Sequence, residues 1–214
     1  MSAAEMLDGT IRPVLSWLWT EARIANGPAA EAMMVAIGLQ ESRFEHRDQV
    51  DSGPAVIGPA TGFWQFERGG GVAGVMGHHL TADLARKVAD AAGVAWDRDA
   101  IWRAFTLPEG DQIATAFARL LLYTDPRALP AAEFAAEDAA WEYYLRNWRP
   151  GRPHRETWGA FWRQGVALAV AGGREGAAVA DAPSVVARAD GLEARVAALE
   201  ATMARVAAAL RVVV

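Results

Sequence analysis

Cap-type residues and prolines divide this chain into segments of helical composition, and that punctuation narrows its fold more than any other feature. Asn26-Gly27-Pro28 places cap-type residues before a proline suited to a first helical position. Thr81 is placed to cap a helix over 82–92 that Gly93 ends, and Asp97 to cap one over 98–105. Pro108 and Pro130 sit at the starts of two further segments, 109–123 and 131–148, and a last globular helix is expected over 156–171. Near the N-terminus Ile11, Leu15, Leu18 and Trp19 are spaced as the apolar face of another. No run of alternating β-branched residues stands out, so any sheet is limited to a short hairpin near 58–67. The expectation is a mainly α domain over residues 1–170.

The tail reads differently. Residues 171–184 are rich in Gly and Ala and end near Pro183-Ser184, as linkers do. Beyond them Leu192, Val196, Leu199, Met203, Val206 and Leu210 repeat at alternating steps of four and three, the d/a seam of a coiled coil. With Leu192 at d, Arg188 and Arg195 occupy g and Glu193 and Glu200 occupy e, so a parallel pairing sets opposite charges against each other. Residues 185–214 are therefore expected to form a coiled-coil helix that makes a homo-oligomer.

Composition removes several function classes. A net charge of −5 and a pI near 5.4 leave no basic surplus to displace counterions from phosphates, so no nucleic-acid partner is expected. With Cys 0 there is no thiolate metal site or disulfide framework, and the His count of 4 includes one adjacent pair, His78-His79, whose side chains diverge in regular structure. Neither a metal nor a cofactor is expected. No stretch approaches the roughly 18 uninterrupted apolar residues of a membrane span. The opening residues through Asp8 lack the basic n-region of an export signal.

One acidic residue stands out against this background. Met33, Ile37, Glu41 and Phe44 fall along one stripe of an apolar helical segment, so Glu41 points where core side chains point. A carboxyl held among apolar neighbours is penalised when it ionises, so its pKa rises and it can carry a proton near neutral pH, as a general acid must. The alternative is a glutamate at a helix end that reaches water.

Glu41-Ser42-Arg43-Phe44, followed by Gly58-Pro59-Ala60-Thr61-Gly62-Phe63-Trp64-Gln65-Phe66-Glu67, resembles the Glu-Ser and Gly-Leu-Met-Gln motifs of the lytic transglycosylase and goose-type lysozyme superfamily, in a form similar to phage-encoded lysozyme-like proteins. The resemblance covers residues 29 to about 165. It implies a lysozyme-like helical fold and cleavage of the β-1,4 bond between N-acetylmuramic acid and N-acetylglucosamine in peptidoglycan. On it, Glu41 is the catalytic acid, Ser42 supports it, and Gly62 and Gln65 belong to the segment lining the glycan cleft. The family's third motif, Ala-Tyr-Asn-x-Gly, places a tyrosine near the catalytic glutamate. Here Tyr143-Tyr144-Leu145-Arg146-Asn147 separates Tyr from Asn, and Tyr144 is preferred to Tyr143. Phage delivery, by a holin or inside a virion, is the localisation that fits such a resemblance.

Further residues are weighed beside that motif. Gly69-Gly70-Gly71-Val72-Ala73-Gly74 matches G-x-G-x-x-G, but no buried strand precedes it, and it reads as a cleft-edge loop. Among the aromatics, Trp141, Trp148, Trp158 and Trp162 read as a core stripe, whereas Trp64 beside Gln65 is taken as a sugar-stacking surface. Glu67, Asp48 and Asp51 are possible second carboxylates for a hydrolase. A transglycosylase needs none, because the sugar's own 6-hydroxyl attacks. Glycan strands are thus the expected substrate, with Ser42, Gly62, Trp64, Gln65, Glu67 and Tyr144 as expected contacts. The competing expectation is a non-catalytic structural or adaptor virion protein that keeps such a fold and assembles with other virion proteins.

Overall fold

The computed structural model describes residues 1–47 and 58–179. Its elements are predominantly helical. The chain opens with α1 (Ala3–Met6), a π-helical turn (Leu7–Ile11) and α2 (Arg12–Ala22), then α3 (Pro28–Ser42). A two-stranded ribbon of β1 (Ala60–Thr61) and β2 (Phe66–Glu67) follows, then a second π-helical turn (Arg68–Val72), α4 (Ala73–Gly77), α5 (Ala82–Ala91) and α6 (Arg98–Ala104). A 3₁₀ turn (Pro108–Gly110) leads into α7 (Asp111–Tyr123), another (Phe134–Ala136) into α8 (Glu137–Trp148), and α9 (Arg155–Val179) ends the described chain. None of the described helices is long and apolar enough to cross a membrane.

Helix α3 is the central element. Ala32 through Gly38 are buried on every side, so this helix is apolar all round and not only along one stripe, as a fully enclosed helix must be. Helix α9 packs along it so closely that a Cβ on Gly165 would lie 2.6 Å from the Ala32 carbonyl oxygen, which only glycine permits. At the C-terminal end of α3, Gly38 leaves room for the ring of Phe44, and a Cβ there would come within 2.2 Å of that ring.

Several boundaries differ from the sequence-based expectation, each for a local reason. Thr81 precedes α5, but its hydroxyl donates to the Val75 carbonyl (2.7 Å) and ties α4 to α5 instead of capping. Asp97 does cap, accepting from the amides of Asp99 and Ala100. The segment expected as one helix from 131 becomes regular only at Glu137, because the chain first makes the tight turn that brings the Glu133 carbonyl to the Trp162 indole (3.0 Å). Trp19 lies outside the apolar face, 43% exposed, with Arg23 over its ring. Helix α9 runs on to Val179, so the first part of the expected linker is helical, and Gly172 within it lies against the Arg12 guanidinium. The coiled-coil segment 185–214, like Asp48 and Asp51, lies outside the described residues.

The candidate active-site cleft

The site is built where α3 ends. Arg43 and Phe44 both take left-handed backbone conformations (φ 56° and 58°), which stop the helix and turn the chain sharply. Such conformations are disfavoured for residues with a Cβ by about 1–2 kcal/mol each, and further cases, Gln65 (φ 47°) and Arg149 (φ 49°), border the same cleft. Arg23 ends α2 in the same left-handed conformation as Arg43 and Arg149 end α3 and α8, so these three are helix terminators, whereas Phe44 and Gln65 hold it within the turns that shape the cleft.

The turn between β1 and β2 is clamped onto α3. Ser42 donates its hydroxyl to the Phe63 carbonyl (2.7 Å) and accepts from the Phe44 amide (3.2 Å). Gly62 has φ 74°, its amide donates to the Arg47 carbonyl (2.7 Å), and its own carbonyl accepts from both the amide and the side chain of Gln65 (2.9 Å each). The ribbon is anchored from behind by α6, where Trp102 donates its indole N–H to the Phe66 carbonyl (2.9 Å) and accepts at its own carbonyl from Thr61 (2.8 Å). Arg47 pairs with the buried Asp111 at the start of α7 through two bonds of 2.8 Å. Burial pushes the Asp111 carboxyl up while this Arg47 contact holds it down.

These elements frame a cleft of about 990 Å³, at the upper end of the usual size for small-molecule sites. Glu41, Gln65, Glu67 and Tyr144 all line it. Glu41 is half-buried, and burial pushes its carboxyl up to about 7 against the opposing effect of a hydrogen bond from Tyr144. That bond is 2.7 Å from the Tyr144 hydroxyl to Oε1. Tyr143, one residue earlier, points away and donates to the Leu122 carbonyl (2.8 Å). The Tyr144 ring is set by an aromatic ladder, stacking on Trp158 at 5.0 Å, which stacks in turn on Trp162 at 6.5 Å. Trp158 is itself held by its indole N–H to the Glu137 carbonyl (3.2 Å). The buried phenol thus holds one carboxyl oxygen of Glu41, a residue that itself lines the cleft. Burial and the neighbouring Glu41 push the phenol pKa far up, so Tyr144 is a donor at every ordinary pH.

Other expected contacts lie elsewhere. Trp64 is fully buried, its indole N–H donating to the Met34 carbonyl (3.2 Å), and it packs against Phe44 where no sugar could reach it. A tryptophan that does line the cleft is the half-buried Trp148, which packs on Phe66 and donates its indole N–H to the Trp64 carbonyl (2.8 Å). Gly62 is buried and shapes the turn, and Ser42, at the cleft margin, spends its hydroxyl on Phe63. Glu67 is exposed at the end of β2. The glycine-rich stretch is a π-helical turn leading into α4, and Gly69, Gly70 and Gly71 form a cleft edge without side chains. His78 and His79 converge in the turn after α4 with rings 4.5 Å apart, against the divergence of regular structure.

Gln40 was not singled out by its sequence context, yet it bridges the site. Its amide donates to the His154 carbonyl (3.0 Å) and accepts from the Thr157 hydroxyl (3.0 Å), holding the start of α9 against the end of α3. Comparison of this chain with protein-family models, with curated proteins and with solved structures finds no match. The chemical reading therefore rests on the geometry: one carboxyl able to hold or give up a proton near neutral pH, a phenol bonded to it, and a half-buried tryptophan lining the same cleft.

Proposed function

We propose that this protein is a peptidoglycan-cleaving glycosidase with a lysozyme-like fold, in which Glu41 protonates the leaving oxygen of the β-1,4 bond between N-acetylmuramic acid and N-acetylglucosamine. The observation that carries the reading is the Glu41 carboxyl, pushed up to about 7 by burial and gripped on one oxygen by Tyr144 (2.7 Å) at the edge of a large cleft. A proton held at that pKa is available to a departing alkoxide at neutral pH, and the resulting carboxylate, stabilised by the phenol, is then the base for the second step. The resemblance of the Glu41-Ser42 and Gly62-to-Gln65 segments to the lytic transglycosylase and goose-type lysozyme motifs supplies the substrate class, and Trp148 offers a flat apolar face suited to a pyranose.

Two product types are distinguishable. If the 6-hydroxyl of the muramic acid residue attacks, fragments carry 1,6-anhydro ends and Glu67 is dispensable. If water attacks with Glu67 as the second carboxylate, fragments gain the mass of water and Glu67→Gln loses activity. Mass analysis of fragments released from purified sacculi separates these outcomes, and release of no fragments overturns the reading. The phage-type resemblance and the heptad pattern further support delivery in or by a virion and self-association through residues 185–214. Light scattering tests the latter: the full chain is an oligomer at micromolar concentration and a chain ending at Ser184 is a monomer, whereas a monomeric full chain contradicts it.

A further inference from the structure

The chain is acidic, with net charge −5, but the loop joining α8 to α9 is not. Between Trp148 and His154 it contributes Arg149 and Arg152 to the cleft, both exposed. No carboxylate pairs with either guanidinium among the described residues, whereas Arg146, one turn before, is neutralised by Asp125 (3.1 Å). The loop is also held in place. Its first residue follows Trp148, which is bonded to the Trp64 carbonyl (2.8 Å), and its last offers the His154 carbonyl to Gln40 (3.0 Å), the neighbour of Glu41. Arg149 sits in the left-handed conformation that ends α8 and bonds through Nε to the Arg146 carbonyl (3.3 Å). Two cations that pair with no carboxylate among the described residues, on a loop anchored at both ends in the cleft that contains the reactive carboxyl, make an attractive place for an anion.

We propose that Arg149 and Arg152 bind a carboxylate carried by the glycan strand, so that the cleft selects anionic strands over neutral β-1,4-linked N-acetylglucosamine polymers. The inference rests on the glycosidase reading above. The carboxylate has two sources in peptidoglycan: the stem peptide, or the lactyl group of muramic acid where the peptide has been removed. Both present the same chemistry to a guanidinium.

The test uses the full chain carrying Glu41→Gln, so that binding is measured without turnover. Calorimetric titrations compare three oligosaccharides of equal length: an N-acetylglucosamine oligomer, a peptide-free muramyl strand and a peptide-bearing strand. Exposed ion pairs are individually weak, so one or both of the charged strands should bind about tenfold tighter than the neutral oligomer. Preference for both assigns the lactyl as well as the peptide carboxylate, preference for the peptide-bearing strand alone assigns the peptide, and preference for the peptide-free strand alone assigns the lactyl group. Adding Arg149→Gln and Arg152→Gln, or raising salt to about 0.5 M, should reduce the preference to within about twofold. Equal binding of neutral and charged strands, or a preference that survives the double substitution, overturns the inference and leaves the glycosidase reading intact. Absence of binding by all three overturns both.

Discussion

Replacing Glu41 by Gln should change stability in a way that depends on pH, independently of any substrate. The folded protein holds this carboxyl at about 7 against an ordinary value of 4.5. Between those pH values the folded state keeps a proton that the unfolded chain has released, so ionisation favours unfolding and stability falls as pH rises through the interval. At 1.36 kcal/mol per pH unit the full effect is about 3 kcal/mol, reached above pH 7 and absent below about 4.5. Gln is nearly isosteric, accepts the Tyr144 hydroxyl through its amide oxygen and never ionises. The variant should therefore match the wild type at pH 4.5 and exceed it by about 3 kcal/mol at pH 8, a gain typical of a relieved buried charge. Urea unfolding of both proteins at half-unit intervals from pH 4 to pH 8 measures the difference. A difference that stays flat across that range would refute the buried, proton-holding carboxyl.

Further outcomes follow from the same contacts. Tyr144→Phe removes the bond that lowers the Glu41 pKa, so the basic limb of kcat/KM, set near 7, should move up by about one pH unit; a limb that stays or moves down contradicts the assigned role. Gly38→Ala forces a methyl into the Phe44 ring and should destabilise by about 1–3 kcal/mol in thermal unfolding while lowering activity, because Phe44 sets the turn after Glu41. Gly62→Ala should cost about 1 kcal/mol in the same assay through its left-handed φ of 74°; a neutral change would show that the turn relaxes freely.

The helical plan was legible because its signals are local. Pro28 and Asp97 each stand at the start of a helix, and Gly93, at φ 67°, follows the end of one, since caps and left-handed terminators act within a turn of their own position. Glu41 was legible for a related reason: its place on the apolar helix predicts desolvation whatever the neighbours are. The two tryptophans were not. Trp141, Tyr144 and Trp148 share one helical stripe, but periodicity reports the face of a helix and not how far along its axis the core extends. Trp148 is the last residue of α8, where that face emerges from the core into the cleft. Trp64 lies in a turn whose direction depends on positive φ at Gly62 and Gln65, which no periodic pattern encodes. Gln40 and the Arg149–Arg152 loop acquire their place only when α9 returns beside α3, a contact between segments distant in sequence.

The central claim, that Glu41 delivers a proton to a glycosidic oxygen of peptidoglycan, is tested most directly by the rate at which dye-labelled sacculi are solubilised near pH 6 by the wild type and by Glu41→Gln. General acid catalysis contributes about 10²–10⁴-fold, so soluble dye should appear with the wild type and fall at least about a hundredfold in the variant, whose fold is intact. Equal rates from the two proteins, or no release by either, would contradict it.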